Sequence, residues 1–561
     1  MILLALSIVT PCYNTDPYLF DELYLSIVNQ SYPNWQWIIV DDGSNDLKST
    51  AHIEKRIAKD SRVVFIQSPK NLHISKATNI ALKQASGDIV CFVDHDDVLA
   101  PIALSAIHIA ALKHPDAKWF YSDEDFLSES GVRHSPHLKP SFNPELLKSH
   151  NYITHLSAIK RGTLEEVGWL DSDCNGAQDY DLHLRLAQHL DPSEIIHIPL
   201  VLYHWRQSEG STSHNSSAKS YTHGAGKFAL SKVFLGKNKQ YSVDSCGDHT
   251  NYYIVTPKKH REILTSIIIP FKDQVELLVK CLQSISETCT KGEYEIVLIN
   301  NNSEDKSTID YLYTLNSQSD IKLIEDTGDF NFSRLINTGA KFAKGEVLLL
   351  LNNDIEATRL GWLEELRDHA MIESNGCVGC KLIYPDSSIQ HAGVALGLGG
   401  YAAHYYRGQQ YSYPGIAGRL WTRYNVSAVT AAALAVRKEV FDQVGGLEED
   451  FKVAYNDVDF CLKVHDAGYW NICSCHVELI HHESKSRGQD STGEKRRRFE
   501  REKSLLANKW GQFILDDPFL HPLVTRNNET CGFAVPAEWK VNPKLLTGRF
   551  HREHKKHALH I

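Results

Sequence analysis

Apolar residues along this chain come in solid blocks that stop abruptly at polar clusters. Trp37-Ile38-Ile39-Val40 ends at Asp41-Asp42, and Ile89-Val90-Cys91-Phe92-Val93 ends at Asp94. Much later, Glu295-Ile296-Val297-Leu298-Ile299 ends at Asn300. Continuous apolar runs of this length predict strands buried on both faces. Between them, Ser75 to Ala85 and Arg334 to Ala343 read as helices. Alternating strands and helices predict an α/β fold around a mostly parallel sheet. Ligands of such sheets bind beyond the carboxyl ends of the strands, where the polar clusters fall. The leading run, Ile2 to Val9, lacks a basic lead-in and enters Thr10-Pro11-Cys12-Tyr13-Asn14 directly. It predicts a first buried strand rather than a signal peptide. No apolar run reaches the ~18–20 residues of a membrane span. The run Val347 to Leu351 predicts a core strand.

The pattern repeats. Ser7-Ile8-Val9-Thr10-Pro11 returns 259 residues later as Ser266-Ile267-Ile268-Ile269-Pro270, and Asp41-Asp42-Gly43-Ser44 returns at the same offset as Asn300-Asn301-Asn302-Ser303. Asn79 and Asp94-His95-Asp96 return 258 residues later as Asn337 and Asn352-Asn353-Asp354. Asp179 and His204 return as Asp457 and His481, now 278 and 277 residues on. Ordered matches at nearly constant spacing indicate a duplication. The second copy therefore carries about twenty extra residues, placed by the drift in offset near 385–425. The expected layout is a first domain over 1–235, a linker over 236–262, a second domain over 263–520 and a tail over 521–561.

Length agrees, since 561 residues exceed one ordinary core. A formal net charge of −10 argues against a general nucleic-acid binder. The twelve cysteines are scattered, which suggests a reduced, cytoplasmic setting. Cys377 and Cys380 form one CxxC without a clear second pair, so buried thiols explain them better than zinc. The basic stretch Lys495 to Lys503 reads as a solvated helix with internal ion pairs, or as a contact for an anionic lipid-linked acceptor or membrane surface. The tail, with His551, His554, His557 and His560, is expected to be disordered.

The ordered motifs carry a resemblance. Thr10-Pro11-Cys12-Tyr13-Asn14, Asp41-Asp42-Gly43-Ser44, Asp94-His95-Asp96-Asp97, Gln178-Asp179-Tyr180-Asp181 and Tyr203-His204-Trp205-Arg206 resemble an inverting family 2 glycosyltransferase of the glycosyltransferase-A fold. Asn352-Asn353-Asp354, Asn456-Asp457-Val458-Asp459 and His481-His482-Glu483-Ser484-Lys485-Ser486-Arg487-Gly488 resemble the rhamnosyltransferase-like members of that family. Over roughly 5–520 the tandem resembles bacterial O-antigen or capsule biosynthesis glycosyltransferases.

That resemblance implies two active sites. Each would move a sugar from a UDP or dTDP donor to a lipid-linked or oligosaccharide acceptor, at or near the inner face of the cytoplasmic membrane. A divalent cation, Mg²⁺ or Mn²⁺, would sit on Asp96 and His204 in the first module, and on Asp354 and His481 in the second. Hard oxygen ligands suit such ions, and the ion offsets charge on the departing diphosphate. His482 is an equally reachable alternative to His481. Asp179 and Asp457 are the candidate general bases, able to take the proton of an attacking hydroxyl. Helix capping is their bland alternative, and Asp181 and Asp459 suit capping or acceptor contacts better. The donor-binding set comprises Pro11, Tyr13, Asp41, Asp42, Asn79 and Asp94, then Pro270, Asn300, Asn301, Asn337, Asn352, Asn353 and Arg487. A carboxylate at Asp41 or Asp42 can accept from a pyrimidine imide N–H, and an Asn carbonyl can do the same. Arg487 is read as a diphosphate clamp or as a surface arginine. The exchange of Asp94 for Asn352 leaves open that the second module only binds or scaffolds. A nucleotidyltransferase would need a Gly-rich basic loop after the first strand, and Thr10 to Asp16 contains no Gly, Lys or Arg.

Overall fold

A computed structural model of the chain describes residues 3–207, 216–235, 241–258, 262–315, 319–483 and 493–532. Arg487 and the four tail histidines lie outside the described residues. The chain divides into two compact units, with the boundary between Val255 and Thr256.

The first unit is built on β1 (Leu6–Cys12), β2 (Trp35–Asp41), β3 (Val63–Gln67), β4 (Ile89–Phe92), β5 (Val98–Leu99), β6 (Trp119–Leu127), β7 (Arg133–His137), β8 (Ser157–Lys160) and β9 (Ile195–Arg206). They form one sheet in the order β3-β2-β1-β4-β8-β6-β9-β5, with β7 on β6. β1, β2, β3 and β4 run parallel, while β8 runs antiparallel to both β4 and β6. The apolar runs seen in the sequence are its centre: Ile38, Ile39, Val40, Ile89 and Val90 are fully buried. Helices Pro17–Val28 and Ala103–Lys113 seal one face with Phe20, Leu23, Ala106 and Ile107.

A hairpin follows, β10 (Tyr241–Ser245) and β11 (Tyr253–Pro257). The expected linker over 236–262 is thereby corrected. Tyr253 is buried, and its hydroxyl donates to the carbonyl of His223 in helix Ser216–Phe234 at 3.0 Å, so the hairpin belongs to the first unit's fold. A polar, Lys- and Gly-bearing composition concealed two short strands whose burial rests on a few aromatic residues.

The second unit repeats the plan with β12 (Thr265–Phe271), β13 (Tyr294–Asn300), β14 (Ile321–Glu325), β15 (Val347–Leu351), β16 (Ile355–Ala357), β17 (Asn375–Ile383), β18 (Ile389–His391), β19 (Val394–Leu396), β20 (Ala402–His404), β21 (Arg423–Asn425), β22 (Ala433–Arg437) and β23 (Trp470–His481). Its main sheet has the order β14-β13-β12-β15-β22-β17-β23-β16, strand for strand the order of the first. The extra residues expected near 385–425 form β18 and the separate β19–β20 hairpin. The expected tail boundary at 520 is also corrected. Arg526 O accepts from Gly399 N at 2.9 Å and Thr525 N donates to Gly532 O, so 521–532 folds with the second unit.

The duplication extends to contacts no motif records. Asn14 and Asp273 both take positive φ, 48° and 50°, and each accepts two loop N–H groups with its Oδ1. Ser7 Oγ accepts from Gly87 N, and Ser266 Oγ from Gly345 N. A Cβ on Gly87 would lie 2.7 Å from Ser7 N, which explains glycine where the edge of β4 meets β1.

Candidate active site

The carboxyl ends of β2, β1 and β4, together with the segment leading into β8, open on a cavity of about 750 Å³ in the first unit. Asp42, Tyr13, Asp94, Asp96 and His155 line it in the order of those strands. Asp179 lines it from the first turn of helix Gln178–His189, and Pro11 from β1. The structure therefore brings together Pro11, Tyr13, Asp42, Asp94, Asp96 and Asp179, six of the residues singled out in the first module.

Asp179 is held by a relay of side chains. Asn151 Nδ2 donates to Asp179 Oδ2 at 2.8 Å, and Asn151 Oδ1 lies 2.9 Å from His183 Nδ1. Burial pushes the His183 imidazole down to about 3, so it is neutral and donates to that amide oxygen. The chain His183 to Asn151 to Asp179 orients the carboxylate of a residue that lines the cavity. Burial also raises the Asp179 carboxyl above the ordinary range, against the opposing pull of His155. Its neighbour Asp181 has a different role. Fully buried, it takes Arg185 at 2.7 Å and Lys232 at 2.9 Å, docking helix Ser216–Phe234 onto the helix of Asp179.

Sequence reasoning missed His155, whose lone His in Ile153-Thr154-His155-Leu156 carries no motif. Its Nε2 lies 3.4 Å from Asp94 Oδ2, and its Nδ1 lies 3.4 Å from Glu124 Oε2. Burial works against its charge, but the bonds to Asp94 and Glu124 outweigh that and hold it well above the usual imidazole range. Glu124 also accepts from Thr154 Oγ1 and His155 N, pinning the segment. Asp94, Asp97 and His155 each bring one ligand atom within 4.8 Å of the others, although Asp97 is committed to the Tyr203 hydroxyl and Arg206 N. Lys160 faces Ile89 and Arg437 faces Val347, so strand register puts Ala432 where the first module has His155.

Other residues sit elsewhere than the sequence suggested. Asp41 is turned inward, taking Ser44 and Thr50 and shaping the loop beside Asp42. Asn300 likewise binds Ser303 N and Glu325. Asn79 and Asn337, expected at the donor, have both amide ends occupied: Asn79 by N and O of Leu170, Asn337 by N and O of Leu447. They are staples for corresponding loops. Asn79→Ala is expected to cost about 1–3 kcal/mol, read as a lower midpoint in denaturant, because Leu170 loses both backbone partners. His204 is buried, with Nδ1 2.6 Å from Asp125 Oδ1. It does not line the cavity, but its held Nδ1 leaves Nε2 as the ring atom able to ligate.

In the second unit Asp354, His481 and Asn352 come together. His481 Nε2 lies 3.1 Å from Asp354 Oδ1 and 3.5 Å from Asn352 Nδ2. His481 Nδ1 lies 2.8 Å from Gln390 Oε1, while Gln390 Nε2 donates to Glu483, which fixes the amide's orientation. The imidazole therefore donates through Nδ1. A ring so held has Nε2 left beside Asp354 Oδ1, and that nitrogen and oxygen together suit a cation of the Mg²⁺ or Mn²⁺ kind. Gln390 comes from β18, so the inserted residues supply the support that Asp125 supplies to His204. His482 points instead to Glu356, at 2.8 Å. Asn353 is half-buried beside Asp354, and Pro270 is buried near the end of β12. Asn301 Nδ2 donates to Gly328 O at 2.8 Å, leaving its Oδ1 as the acceptor.

Asp457 Oδ2 accepts from Ala431 N at 3.1 Å and Asp457 Oδ1 from Val458 N at 2.8 Å. A backbone N–H here does the work of the Asn151 side chain. Burial again raises the carboxyl above the ordinary range. Asp459 repeats Asp181, taking Trp510 Nε1 and Lys509 Nζ from helix Gly493–Leu515. That helix contains the basic stretch, and its buried Glu502 accepts from Lys452 N, Val453 N and Ala454 N, just before Asp457. Glu502→Ala strips three donors of a charged partner. It is expected to cost about 2–4 kcal/mol, seen as a lower Tm, with Glu502→Gln milder.

Residues 7–168 and 266–445 match the family described as Glycosyl transferase family 2. The chain belongs to that family. Along 96% of its length it is 38% identical to "Uncharacterized protein y4gI" of Sinorhizobium fredii, and along 94% it is 33% identical to "O-antigen biosynthesis protein RfbC" of Myxococcus xanthus. It spans 60% and 41% of those two relatives. A crystal structure of S. aureus TarS in complex with UDP matches 42% of this chain and 66% of its own, at 19% identity and a TM-score of 0.32. Both units are glycosyltransferase-A-type α/β domains, as their motifs led one to expect. No helix among the described residues is long and apolar enough to cross a membrane.

Proposed function

We propose that each module transfers a sugar from a nucleoside-diphosphate donor to a saccharide hydroxyl with inversion, so that the chain adds two sugars to a growing surface polysaccharide. The observation that supports this most is the same division of labour in both units. Asp94 and Asp96 share a cavity with a raised, oriented Asp179. Asp354 and His481 converge in a unit where Asp457 is raised and oriented in the same way. The name of the Myxococcus relative favours an O-antigen type of product. Work at the inner face of the cytoplasmic membrane goes with that reading.

The acceptor hydroxyl gives its proton to the carboxylate of Asp179 or Asp457 while its oxygen attacks the anomeric carbon. The bond from that carbon to the diphosphate breaks on the opposite face, and the diphosphate leaves with the electron pair. A bound Mg²⁺ or Mn²⁺ supplies charge that stabilises this leaving group. Asp42 and the Oδ1 of Asn301 are placed to accept a pyrimidine imide N–H. A carboxylate and an amide accept with different strength, so the two modules use different nucleotides or bind the same one with different affinity.

The test is a donor screen following nucleotide release from the full chain, with UDP- and dTDP-sugars and a fragment of the native polysaccharide. Asp179→Asn and Asp457→Asn are expected to abolish release from different donors. If Asp457→Asn changes no donor's turnover, the second module is an acceptor-binding scaffold and the two-enzyme reading fails.

A further inference from the structure

The cavity of the first unit has a wall that the strand-end residues do not explain. It is made by helix Ser216–Phe234 and the turn between β10 and β11, the segment that reads as a linker in the sequence. Tyr221 and Tyr252 line the cavity there. His150 joins them, its ring 4.7 Å from that of Tyr252.

Tyr221 is built as a platform. A Cβ on Gly176 would fall 2.4 Å from Tyr221 Cε1, so one edge of the ring lies against bare backbone that only glycine permits. The hydroxyl donates to Asn175 O at 2.7 Å, which fixes the ring plane. The residue is nevertheless 58% exposed. An aromatic ring pinned on one side and open on the other serves a flat apolar face. The wall is also locked to the core. Tyr253 stacks on His223 at 5.0 Å, and Asn251 N donates to His223 Nδ1 at 2.9 Å.

The chemistry of the lining narrows the occupant. Among the described residues that line this cavity there is no lysine and no arginine. A phosphate or pyrophosphate group would find no lysine or arginine among the described residues of this lining. A pyranose ring offers an apolar C–H face for the tyrosines and hydroxyls for Thr222 and Asn251, which line the same wall. Asp94 and Asp179 line the same cavity.

We infer that the helix 216–234 and the β10–β11 turn form the acceptor subsite of the first module, and that it holds an uncharged pyranose by stacking on Tyr221 and Tyr252. This rests on the glycosyltransfer reading above but assigns the acceptor side of the site, its sugar class and the segment that builds it.

The test uses the full chain and saturation-transfer NMR with methyl glycosides of glucose, galactose, N-acetylglucosamine and rhamnose, with farnesyl diphosphate as the charged lipid probe. UDP titration runs in parallel. At least one methyl glycoside is expected to bind, to weaken by about five- to tenfold in Tyr221→Ala and in Tyr252→Ala, and to recover in the Tyr→Phe variants, which keep the ring. UDP affinity should stay within twofold in all four variants. Binding of every glycoside unchanged by both alanine variants, or no glycoside bound at all, overturns the subsite. So does farnesyl diphosphate binding that depends on the two rings. Failure to bind UDP in the parent chain would instead strike the donor reading, so the two failures are separable.

Discussion

Asp179→Asn is expected to lower turnover by the first module about 10²–10⁴-fold while leaving its donor affinity close to that of the parent chain. The substitution keeps the size of the side chain and one acceptor oxygen for Asn151, so the cavity should be retained. What is lost is the ability to take a proton. The pH profile gives a sharper check. Burial raises this carboxyl above its ordinary value near 3.9. The catalytically competent form is the carboxylate. The first module's kcat/KM should therefore be full above the raised pKa and fall tenfold per pH unit below it. That acid limb should begin at higher pH than an exposed aspartate would give, and Asp179→Asn should remove it. Asn151→Ala should shift the limb without abolishing turnover, because Asn151 only orients the base. Asp457→Asn is the matching change in the second module, and its acid limb should likewise lie high. A first-module profile that keeps its acid limb in Asp179→Asn would assign the base elsewhere.

The parts of this molecule that could be read from sequence are those where one residue type has few structural solutions. Solid apolar runs such as Ile38 to Val40 can only be central strands, and they are. The order of the motifs placed Asp94, Asp96 and Asp179 around one cleft because each sits at the end of an element that a parallel sheet directs to the same side. Side-chain orientation was not legible. Asp41 and Asp42 are adjacent and chemically identical, yet pleating turns the first into its loop and leaves the second lining the cavity. Asn79 and Asn337 kept their place in both copies for a reason unconnected with a ligand: an amide can hold a backbone N–H and C=O at once.

Residues that act through a distant partner were also invisible. Asn151 and His155 precede β8 in a stretch that resembles nothing in the second copy, where Ala431 N and Ala432 occupy the corresponding region. Gln390 lies in the insertion, so the repeat itself hides it. Glu502 sits inside a run of lysines and arginines whose composition advertises the surface, and only the fold shows that its carboxylate is buried against three backbone donors. The linker was misread for a similar reason. Two strands of five residues whose buried side chains are mainly Val243, Tyr253 and Val255 leave little periodic signal.

Asp354→Ala is expected to reduce transfer by the second module roughly 10³-fold and to remove its dependence on added Mn²⁺ or Mg²⁺. His481 Nε2 and Asp354 Oδ1 lie 3.1 Å apart, close enough for one cation to take both as ligands. Removing the carboxylate leaves a single imidazole, too few ligands for a hard ion. Gln390→Ala should weaken the ion about 10–100-fold, because the imidazole loses the acceptor that fixes its tautomer and orientation. Asp96→Ala should do to the first module what Asp354→Ala does to the second, and each variant should leave the other module's transfer intact. Metal affinity by Mn²⁺ electron paramagnetic resonance, measured beside transfer rates, separates the causes. Asp354→Ala must lose both bound Mn²⁺ and second-module transfer. Loss of neither makes the second copy a binding module. Loss of transfer with Mn²⁺ still bound would mean that Asp354 serves the donor sugar, and the ion would have to be assigned to other side chains.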